Sequence, residues 1–329
     1  MKKSLLGLCV ALSLALTACG GTTTKDPAPA PAAKALTKVS LRLDWSANAI
    51  HTPIFAAQSE GFFKAEGLDV QIQPASDKDD VLKLVDTGVD QIGLYYQSSV
   101  LKAPAKGYDL KVFGAYVQHP LNVLLVDDRA GVADLKGLAG KKIGFTSDPM
   151  PKGKPSTTAA AIKQMVEKAG GDWSKIELMN VGEAAVQALA TKQVDAIAGV
   201  YEYHEGYLLS KEGIKTKAYR LNEYGAPDFY ELVWVTKGLG APEQAAFLRA
   251  IAKAVTWTEA NPQKATTALM AAAPTLKQEY VAATVPLVLP YLKGAGSAMS
   301  RERWETAADW LVAQGAIKEK PDLTKLLIQ

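Results

Sequence analysis

Three side chains suited to binding a flat ring lie close together near the start of the main body of the chain: Trp45, Asn48 and His51. An indole offers an apolar face for stacking. A carboxamide offers both a donor and an acceptor, and an imidazole can do the same. The group therefore predicts contact with a planar heteroaromatic compound. Structural roles also stay open: core packing for Trp45, a turn for Asn48 and a helix start for His51.

A second group of candidates occupies residues 199–206, where Tyr201 and Glu205 stand among glycine, tyrosine and histidine. A buried carboxylate that accepts hydrogen bonds from an amino group contributes about 1.5–3 kcal/mol. It also rejects analogues without that amino group, since they leave the charge unpaired. The alternative is an exposed helix start, in which Glu202 and Glu205 are both solvated.

Two further loops carry polar residues that could line a site. Tyr95 and Tyr96 follow a predicted strand, and neighbouring residues of an extended chain point to opposite sides. We predict that Tyr96 faces the ligand. The loop 147–158 is rich in Gly, Pro, Ser and Thr and precedes a predicted helix. It lacks the glycine and lysine spacing of a phosphate-binding loop, so a cleft wall and a neutral loop are the two interpretations.

Short β-branched runs alternate with helix-compatible stretches and place these loops. The pattern predicts, for example, a strand at 39–43, a helix at 52–63, a strand at 112–116 and a helix at 157–168. Such alternation is typical of parallel sheets covered by helices. Open α/β sheets hold ligands where a strand ends and a helix begins, and each candidate group follows a predicted strand.

The pattern divides the body into two α/β lobes. We predict a first lobe of residues 38–120 plus 234–329 and a second lobe of 121–233, with crossing segments near 116–126 and 230–235. Two crossing segments permit hinge closure around a ligand. This α/β arrangement of two lobes joined by two crossing segments resembles the type II periplasmic binding protein fold.

The order L-D-W-x-x-N-x-x-H-T in residues 43–52 and the G-x-Y-x-x-x-E-G of residues 199–206 resemble one family. It comprises ABC-transporter substrate-binding lipoproteins that capture the pyrimidine precursor of thiamine, hydroxymethylpyrimidine or formylaminopyrimidine. Tyr203 stands where that family often has Asn, which leaves the ring substituent open. The resemblance implies a site for a flat aminopyrimidine between the lobes, formed by Trp45, Asn48, His51, Tyr96, Tyr201 and Glu205.

The resemblance also implies an extracytoplasmic receptor that delivers its ligand to an ABC permease, and we expect a monomer. Proteins of the wider fold carry riboflavin, alkanesulfonates, taurine or nitrate-like anions, and these remain the alternative ligands. A related fungal family forms the pyrimidine itself, using its own histidine with pyridoxal phosphate and iron. That chemistry needs a cysteine-rich iron motif, whereas this chain holds only Cys9 and Cys19. We therefore predict no enzyme activity, no cofactor and no metal site.

The N-terminal residues predict export and a lipid anchor. Lys2 and Lys3 precede an apolar run too short to span a membrane comfortably, which is typical of a signal peptide over 1–18. Leu16-Thr17-Ala18-Cys19 reads as a lipobox, so Cys19 is the predicted lipidation site. The alternative is an ordinary signal peptide. Residues 19–37 are predicted to form the lipidated tether, facing the periplasm or the cell exterior. The formal net charge is only +3, without a basic stripe, so nucleic acid is an unexpected partner.

Overall fold

Two β-sheets, each flanked by helices, organise the chain. The computed structural model describes residues 35–76 and 79–328, and within these ranges ten strands form two five-stranded sheets. The strands are β1 (Thr37–Arg42), β2 (Leu68–Gln73), β3 (Ile92–Tyr96), β4 (Lys111–Val117), β5 (Asn122–Asp127), β6 (Lys142–Phe145), β7 (Glu177–Asn180), β8 (Ala196–Tyr201), β9 (Thr216–Arg220) and β10 (Leu232–Thr236). The predicted signal segment, Cys19 and most of the predicted tether lie outside the described residues.

The order of the strands shows how the chain passes between the sheets. The first sheet has the order β2-β1-β3-β10-β4, and the second has the order β7-β6-β8-β5-β9. In the first sheet β10 is antiparallel to β3 and β4, and in the second β5 is antiparallel to β8 and β9. The antiparallel strand in each sheet is thus the first one after a crossing. We call the parts built on the two sheets the first and second lobes; their predicted residue boundaries stay predictions.

Twelve helices of the described residues cover the sheets. They are α1 (Thr52–Ser59), α2 (Phe62–Ala65), α3 (Val81–Asp86), α4 (Gln97–Val100), α5 (Thr157–Lys168), α6 (Ala185–Ala190), α7 (Tyr207–Lys211), α8 (Ala241–Ala260), α9 (Pro262–Ala272), α10 (Gln278–Val288), α11 (Arg301–Ala313) and α12 (Leu323–Leu326). Among the described residues, none of these helices combines the length and the apolar character needed to traverse a bilayer.

The inner strands of the first sheet are apolar on both faces because helices pack against each side. Every residue of β10 is buried. Trp234 in this strand has no solvent exposure, and its ring lies 4.9 Å from that of Phe247 in α8 and 5.0 Å from that of Tyr116 in β4. This packing holds the first sheet in place, and the candidate loops after β1 and β3 extend from that sheet.

The predicted helix 52–63 is divided in the structure. It ends at Ser59, and a new helical turn begins at Phe62. Between them Gly61 adopts φ +72°, a left-handed conformation that glycine accepts without a steric penalty. The prediction of one continuous helix was therefore wrong, since the glycine ends α1 with a reversal and not with a simple stop.

One arginine of the last long helix ties the two crossing segments together. Arg303 Nη2 donates to the backbone oxygens of Gln118, at 2.5 Å, and of Asp228, at 2.7 Å. Its guanidinium also lies 3.9 Å from the ring centre of Tyr230. Because Gln118 follows β4 and Asp228 precedes β10, α11 holds both connections between the lobes.

Candidate ligand-binding cavity

A cavity of about 650 Å³ lies between the two lobes. Its volume is in the range of small-molecule sites, roughly 300–1,000 Å³. The first lobe contributes the loops after β1 and β3, the second lobe contributes the loops after β6 and β8, and the crossing segments close it. The lining residues used below are Asp44, Trp45, Asp79, Tyr96, Lys102, Glu183, Tyr201, His204, Glu205 and Glu231.

In the loop after β1, Trp45 lines the cavity, but Asn48 lies behind the wall and is 4% exposed. Its Oδ1 accepts from the backbone N–H of Ile50 at 3.1 Å, and its Nδ2 donates to the backbone oxygen of Ser46 at 3.0 Å. These bonds make Asn48 the N-cap of the short helical turn Ala49–His51. Its amide is thus engaged in local structure.

His51 is fully buried and belongs to the same turn. Its Nδ1 accepts from the backbone N–H of Asn48 at 3.1 Å, so its Nε2 carries the proton and donates to Asp44 Oδ1 at 2.8 Å. Asp44 itself lines the cavity. The imidazole therefore orients a carboxylate on the wall and does not reach the cavity.

A chain of hydroxyl groups continues from that carboxylate across to the second lobe. Tyr96 donates to Asp44 Oδ2 at 3.3 Å, and the Tyr201 hydroxyl lies 3.3 Å from that of Tyr96 and 3.2 Å from Glu231 Oε1. Tyr96 belongs to β3 and Tyr201 to β8, so this network joins the lobes. Burial raises the pKa of both tyrosines well above the ordinary value, and both act as neutral donors.

Glu231 sits where the chain returns to the first lobe. It is 6% exposed, and burial raises its pKa to about 7. Its Oε2 accepts from the backbone N–H of Leu121 at 2.8 Å, and its Oε1 accepts from Asn122 Nδ2 at 2.6 Å. Since Leu121 and Asn122 belong to the first crossing and Glu231 to the second, this carboxyl joins the two connections from the cavity side.

Glu205 is placed by an unusual turn after β8. Residues Glu202–Gly206 form a π-helical turn, a feature that often occurs at functional sites. Glu205 Oε2 accepts from the backbone N–H of Tyr201 at 2.7 Å. The side chain is 8% exposed, and burial raises its pKa to about 7 from an ordinary 4.5. The carboxyl therefore stands on the cavity wall close to the balance between its charged and neutral forms at neutral pH.

His204 in the same turn supports Trp45 from the other lobe. The two rings lie 5.5 Å apart at 81°, an edge contact, and His204 Nδ1 lies 2.6 Å from the Tyr280 hydroxyl of α10. Burial lowers the pKa of His204 to about 4, so the ring is neutral at pH 7. The indole is thus held between the loop after β1 and the loop after β8.

Tyr203 does not line the cavity but packs beneath it. Its ring stacks on Tyr201 at 5.4 Å and 9°, and its hydroxyl donates to Asn48 Oδ1 at 3.4 Å. The residue that departs from the expected Asn therefore braces the second loop against the first.

The structure brings four of the six predicted site residues to the cavity: Trp45, Tyr96, Tyr201 and Glu205. Their role as ligand contacts stays a prediction. The other two, Asn48 and His51, form the support behind the wall.

Sequence reasoning missed Asp44, His204, Glu231 and Lys102 as lining residues. Asp44 and His204 belong to the two motif segments, so the sequence pattern could have indicated that they lie near the site. Glu231 and Lys102 are isolated in the sequence and gave none.

The described side chains do not form a metal-binding cluster. Across residues 35–76 and 79–328, no group of three or more His, Cys, Asp or Glu side chains is placed to hold a metal ion. An iron motif built on cysteines is also impossible in a chain whose two cysteines are Cys9 and Cys19.

Comparison with solved structures shows the fold. The aliphatic sulphonate binding protein SsuA from Escherichia coli superposes with a TM-score of 0.67, covering 89% of this chain and 92% of its own, at 15% sequence identity. At that identity the likeness concerns the fold alone. It confirms the predicted two-lobe periplasmic binding fold.

Sequence comparison shows the family. The formylaminopyrimidine-binding protein of Halalkalibacterium halodurans is 31% identical over 87% of this chain and 88% of its own length. A 4-amino-5-hydroxymethyl-2-methylpyrimidine phosphate synthase of Legionella pneumophila is 25% identical over 77% of this chain and 79% of its own length. The family described as NMT1/THI5 like matches residues 48–265, and the chain therefore belongs to that family.

Proposed function

We propose that this protein is the solute-binding component of an importer and captures a pyrimidine precursor of thiamine, or a similar flat aminopyrimidine, between its lobes. One observation carries the proposal: an indole, Trp45, and a buried carboxyl, Glu205, line the same cavity from different lobes. A ring and an acid together suit the face and the edge of an aminopyrimidine. The relative that is named for binding formylaminopyrimidine supports this ligand class.

The raised pKa of Glu205 suits the edge of such a ring in two ways. As a carboxylate, it accepts hydrogen bonds from the amino group. As a neutral acid, it donates to the adjacent ring nitrogen while its other oxygen accepts from the amino group. A carboxyl whose pKa is about 7 has access to both forms at neutral pH, and it favours an edge that presents a donor beside an acceptor.

Binding is coupled to closure of the lobes in this proposal. Only a closed arrangement brings Trp45 of the first lobe and Glu205 of the second lobe to one ligand. A ligand that contacts both therefore shifts the population toward the closed state. Arg303 bonds to both crossing segments, and Glu231 of the second crossing bonds to the first, so the proposal puts the hinge at these contacts.

The remaining parts of the proposal concern where the protein works. We infer export through residues 1–18, lipid attachment at Cys19, a tether to residue 37 and delivery of the ligand to an ABC permease by a monomer. The lipobox pattern and the likeness to periplasmic binding proteins support this placement.

The alternative ligands fit the cavity less well. A nitrate-like anion, taurine or an alkanesulfonate would meet five carboxyl groups on the wall, those of Asp44, Asp79, Glu183, Glu205 and Glu231, and it offers no ring face to Trp45. Riboflavin is flat, but its ring system carries no exocyclic amino group to donate to Glu205. A small amino-substituted ring offers a donor to Glu205 and a face to Trp45.

The alternative function from another class of protein is that of an enzyme that forms the pyrimidine. It is considered because pyrimidine phosphate synthases are among the relatives. The resemblance to the fungal family implies chemistry that needs iron and a lysine for the cofactor. Within residues 35–76 and 79–328 no cluster of three His, Cys, Asp or Glu side chains is placed to hold a metal, and the proposal is a receptor that breaks no bond. A Schiff-base absorbance in the purified protein after addition of pyridoxal phosphate would contradict it.

The direct test is titration calorimetry, with thermal shift as a second readout, on the purified body. The panel contains 4-amino-5-hydroxymethyl-2-methylpyrimidine, its formylamino analogue, thiamine, riboflavin, taurine, an alkanesulfonate and nitrate. The proposal expects the tightest binding among the aminopyrimidines. No response to any flat heterocycle, together with a response to a sulfonate or to nitrate, would overturn the ligand class.

A further inference from the structure

A row of four oxygen atoms on the cavity wall joins one lobe to the other. It runs from Glu231 Oε1 to the Tyr201 hydroxyl at 3.2 Å, from there to the Tyr96 hydroxyl at 3.3 Å, and on to Asp44 Oδ2 at 3.3 Å. Tyr201 belongs to β8 of the second lobe, and Tyr96 belongs to β3 of the first. We call this row the oxygen chain. The hydrogens available to it determine the protonation state of its two ends.

The oxygen chain needs one hydrogen more than its tyrosines supply. Its three contacts require three hydrogens, whereas a tyrosine hydroxyl has one and a carboxylate has none. Burial raises the pKa of Tyr96 and Tyr201 well above the ordinary value, so both keep their hydrogens. If both ends were carboxylates, each tyrosine would donate to its own end, and the two hydroxyl oxygens would face each other with lone pairs only. A fully bonded chain therefore carries its third hydrogen on an end carboxyl.

Glu231 is the end that holds a proton near neutral pH. Burial raises its pKa to about 7, although hydrogen bonds from Leu121 N–H, Tyr201 and Asn122 act in the opposite direction. As a neutral acid it donates from Oε1 to Tyr201, while Oε2 still accepts from Leu121 N–H at 2.8 Å. At the other end, Asp44 accepts from His51 Nε2 at 2.8 Å, and a hydrogen bond of this kind favours the charged form of the acid.

The charged groups of the two crossing segments are engaged elsewhere. His119 pairs with Asp228 at 2.9 Å, and both side chains are exposed. Arg303 of α11 donates to the backbone oxygens of Gln118 and Asp228. Within the part of the chain that the structure describes, the hydrogen-bond partners of Glu231 are thus a backbone N–H, an amide and a tyrosine, all uncharged.

We infer that contact between the lobes holds a proton on the Glu231 carboxyl, so that closing the lobes takes up one proton and opening releases it. The inference rests on the proposed function, because that function requires the closing movement. When the lobes separate, Tyr201 leaves Tyr96, and water reaches the acid. The proton comes from the solvent and returns to it, and no other covalent bond changes.

The coupling makes ligand affinity depend on pH in one direction. The pKa of Glu231 is about 7 with the lobes in contact, and it moves toward the ordinary 4.5 when water reaches the acid. Closure is therefore favoured fully below pH 4.5, and this contribution is lost as the pH rises through 7. Between pH 5 and pH 7 the affinity should fall by at most about tenfold per pH unit, and the effect should level off above pH 8.

The first test observes the proton directly, in the ligand-free protein. Infrared difference spectra between the wild type and Glu231→Gln, recorded from pH 5 to pH 9, isolate the carbonyl band of a protonated Glu231. Glutamine keeps a donor and an acceptor at this position. We expect a band that disappears with a midpoint near pH 7. Glu205, whose pKa is shifted in the same direction, is present in both proteins and cancels.

Tyr96→Phe separates the hydrogen count from the effect of burial. It removes the hydroxyl that makes the third hydrogen necessary, so a Glu231 carboxylate satisfies the remaining contact with Tyr201. The midpoint should fall by about one pH unit. Burial alone predicts the opposite direction, since the loss of a polar group raises the pKa of a buried acid.

The matched control is Tyr203→Phe. It also removes a buried hydroxyl that joins the lobes, the one that donates to Asn48 at 3.4 Å, but this hydroxyl lies outside the oxygen chain. Its midpoint should equal that of the wild type. If Tyr96→Phe does not fold, the Glu231→Gln spectra and the proton count below still decide the question.

The second test counts protons during binding of 4-amino-5-hydroxymethyl-2-methylpyrimidine. Calorimetry at pH 6 in buffers of different ionisation enthalpy gives the number of protons taken up. The wild type should take up more protons than Glu231→Gln, by a difference approaching one. Glu202→Gln is the control and should match the wild type, because Glu202 is an exposed acid that pairs with Arg220.

Three results would overturn the inference: no infrared band from Glu231, equal shifts in Tyr96→Phe and Tyr203→Phe, or equal proton uptake by the wild type and Glu231→Gln. The proposed function stands in each of these cases if the pyrimidine binds. If the pyrimidine does not bind while the infrared results are as expected, the proposed function fails and the proton on Glu231 is confirmed.

Discussion

The loop after β1 and the loop after β8 carry similar residues but use them differently. In the first loop the amide of Asn48 and both ring nitrogens of His51 are bonded within the loop. In the second loop the π-helical turn leaves Glu205 on the cavity wall, anchored through Oε2 to Tyr201 N–H. A polar side chain that looks suited to a ligand can thus be fully engaged in holding its own backbone.

The difference has an energetic counterpart. The first loop gains stability from its polar residues, because each buried group finds a partner. The second loop loses stability, because its carboxyl is buried and its pKa rises to about 7. Groups with perturbed pKa values tend to cluster at functional sites, where their burial costs the fold some stability. Substitutions in the second loop should therefore change mainly ligand affinity, and substitutions in the first loop should change mainly the stability of the fold.

The largest effect is expected on ligand affinity when the second loop loses its charge. Glu205→Leu should weaken the binding of 4-amino-5-hydroxymethyl-2-methylpyrimidine roughly 100-fold, since leucine offers neither an acceptor for the amino group nor a donor for the ring nitrogen. Calorimetry measures the change. The control is Glu202→Gln, an exposed acid of the same turn that pairs with Arg220. Equal affinities for Glu205→Leu and the wild type would remove Glu205 from the site.

The next effect concerns the stability of the ligand-free protein as a function of pH. The folded protein keeps the Glu205 proton up to about pH 7, whereas the unfolded chain releases it near its ordinary value of 4.5. This contribution is therefore fully present below pH 4.5 and is lost as the pH rises through 7. Between pH 5 and pH 8 the wild type should lose about 2 kcal/mol relative to Glu205→Gln.

The measurement is denaturant unfolding of both proteins at pH 5, 6, 7 and 8. Glu231 has the same direction of pKa shift, and His204 has a lowered pKa with the opposite effect. Both are shared by the two proteins, so the difference isolates Glu205. A difference that does not change with pH would show that the Glu205 carboxyl is not held in its neutral form by burial.

The first loop should respond in the opposite manner. Asn48→Ala removes the cap of the Ala49–His51 turn and an acceptor for Tyr203. We expect the free energy of unfolding to fall by about 1–2 kcal/mol, at any pH between 6 and 8. Ser46→Ala is the matched control, because the exposed Ser46 contributes its backbone oxygen to this network. An unchanged stability with a large loss of affinity would return Asn48 to the list of ligand contacts.

The smallest effect is expected from the indole. Trp45→Leu should weaken the aminopyrimidine about fivefold to tenfold, because aromatic stacking contributes about 0.5–1.5 kcal/mol beyond buried area. Trp257→Leu serves as the control, since Trp257 packs on Phe62 in the first lobe and does not line the cavity. Should both variants bind like the wild type, Trp45 would be a wall residue without a stacking role.

Local patterns predicted much of the fold. The predicted helix 157–168 coincides with α5, since Ser156 caps it and Gly170 follows its end. α9 begins at Pro262, a residue that suits the first turn of a helix. The antiparallel placement of β5 and β10 was not predicted, since strand direction depends on the partners that a strand meets and not on its own residues.

The candidate site was predicted where the chemistry lies in a continuous segment. Trp45 and Glu205 stand in motif segments, whereas Glu231 and Lys102 reach the cavity through tertiary structure alone. The spacing of Asn48 and His51 was read as a binding pattern, although the same spacing is that of a capping box. Residue type and spacing do not distinguish a group that meets a ligand from one that meets its own backbone.

The position of β10 has a consequence for the order in which the molecule is made. β10 lies between β3 and β4, so the first sheet has a gap at its centre until residue 236 has emerged. The second sheet comes from one uninterrupted stretch and can be completed earlier, because nearby segments pair with less loss of entropy. The second lobe, although it begins later in the sequence, can therefore complete its sheet first. The first lobe completes its sheet only when β10 has been made.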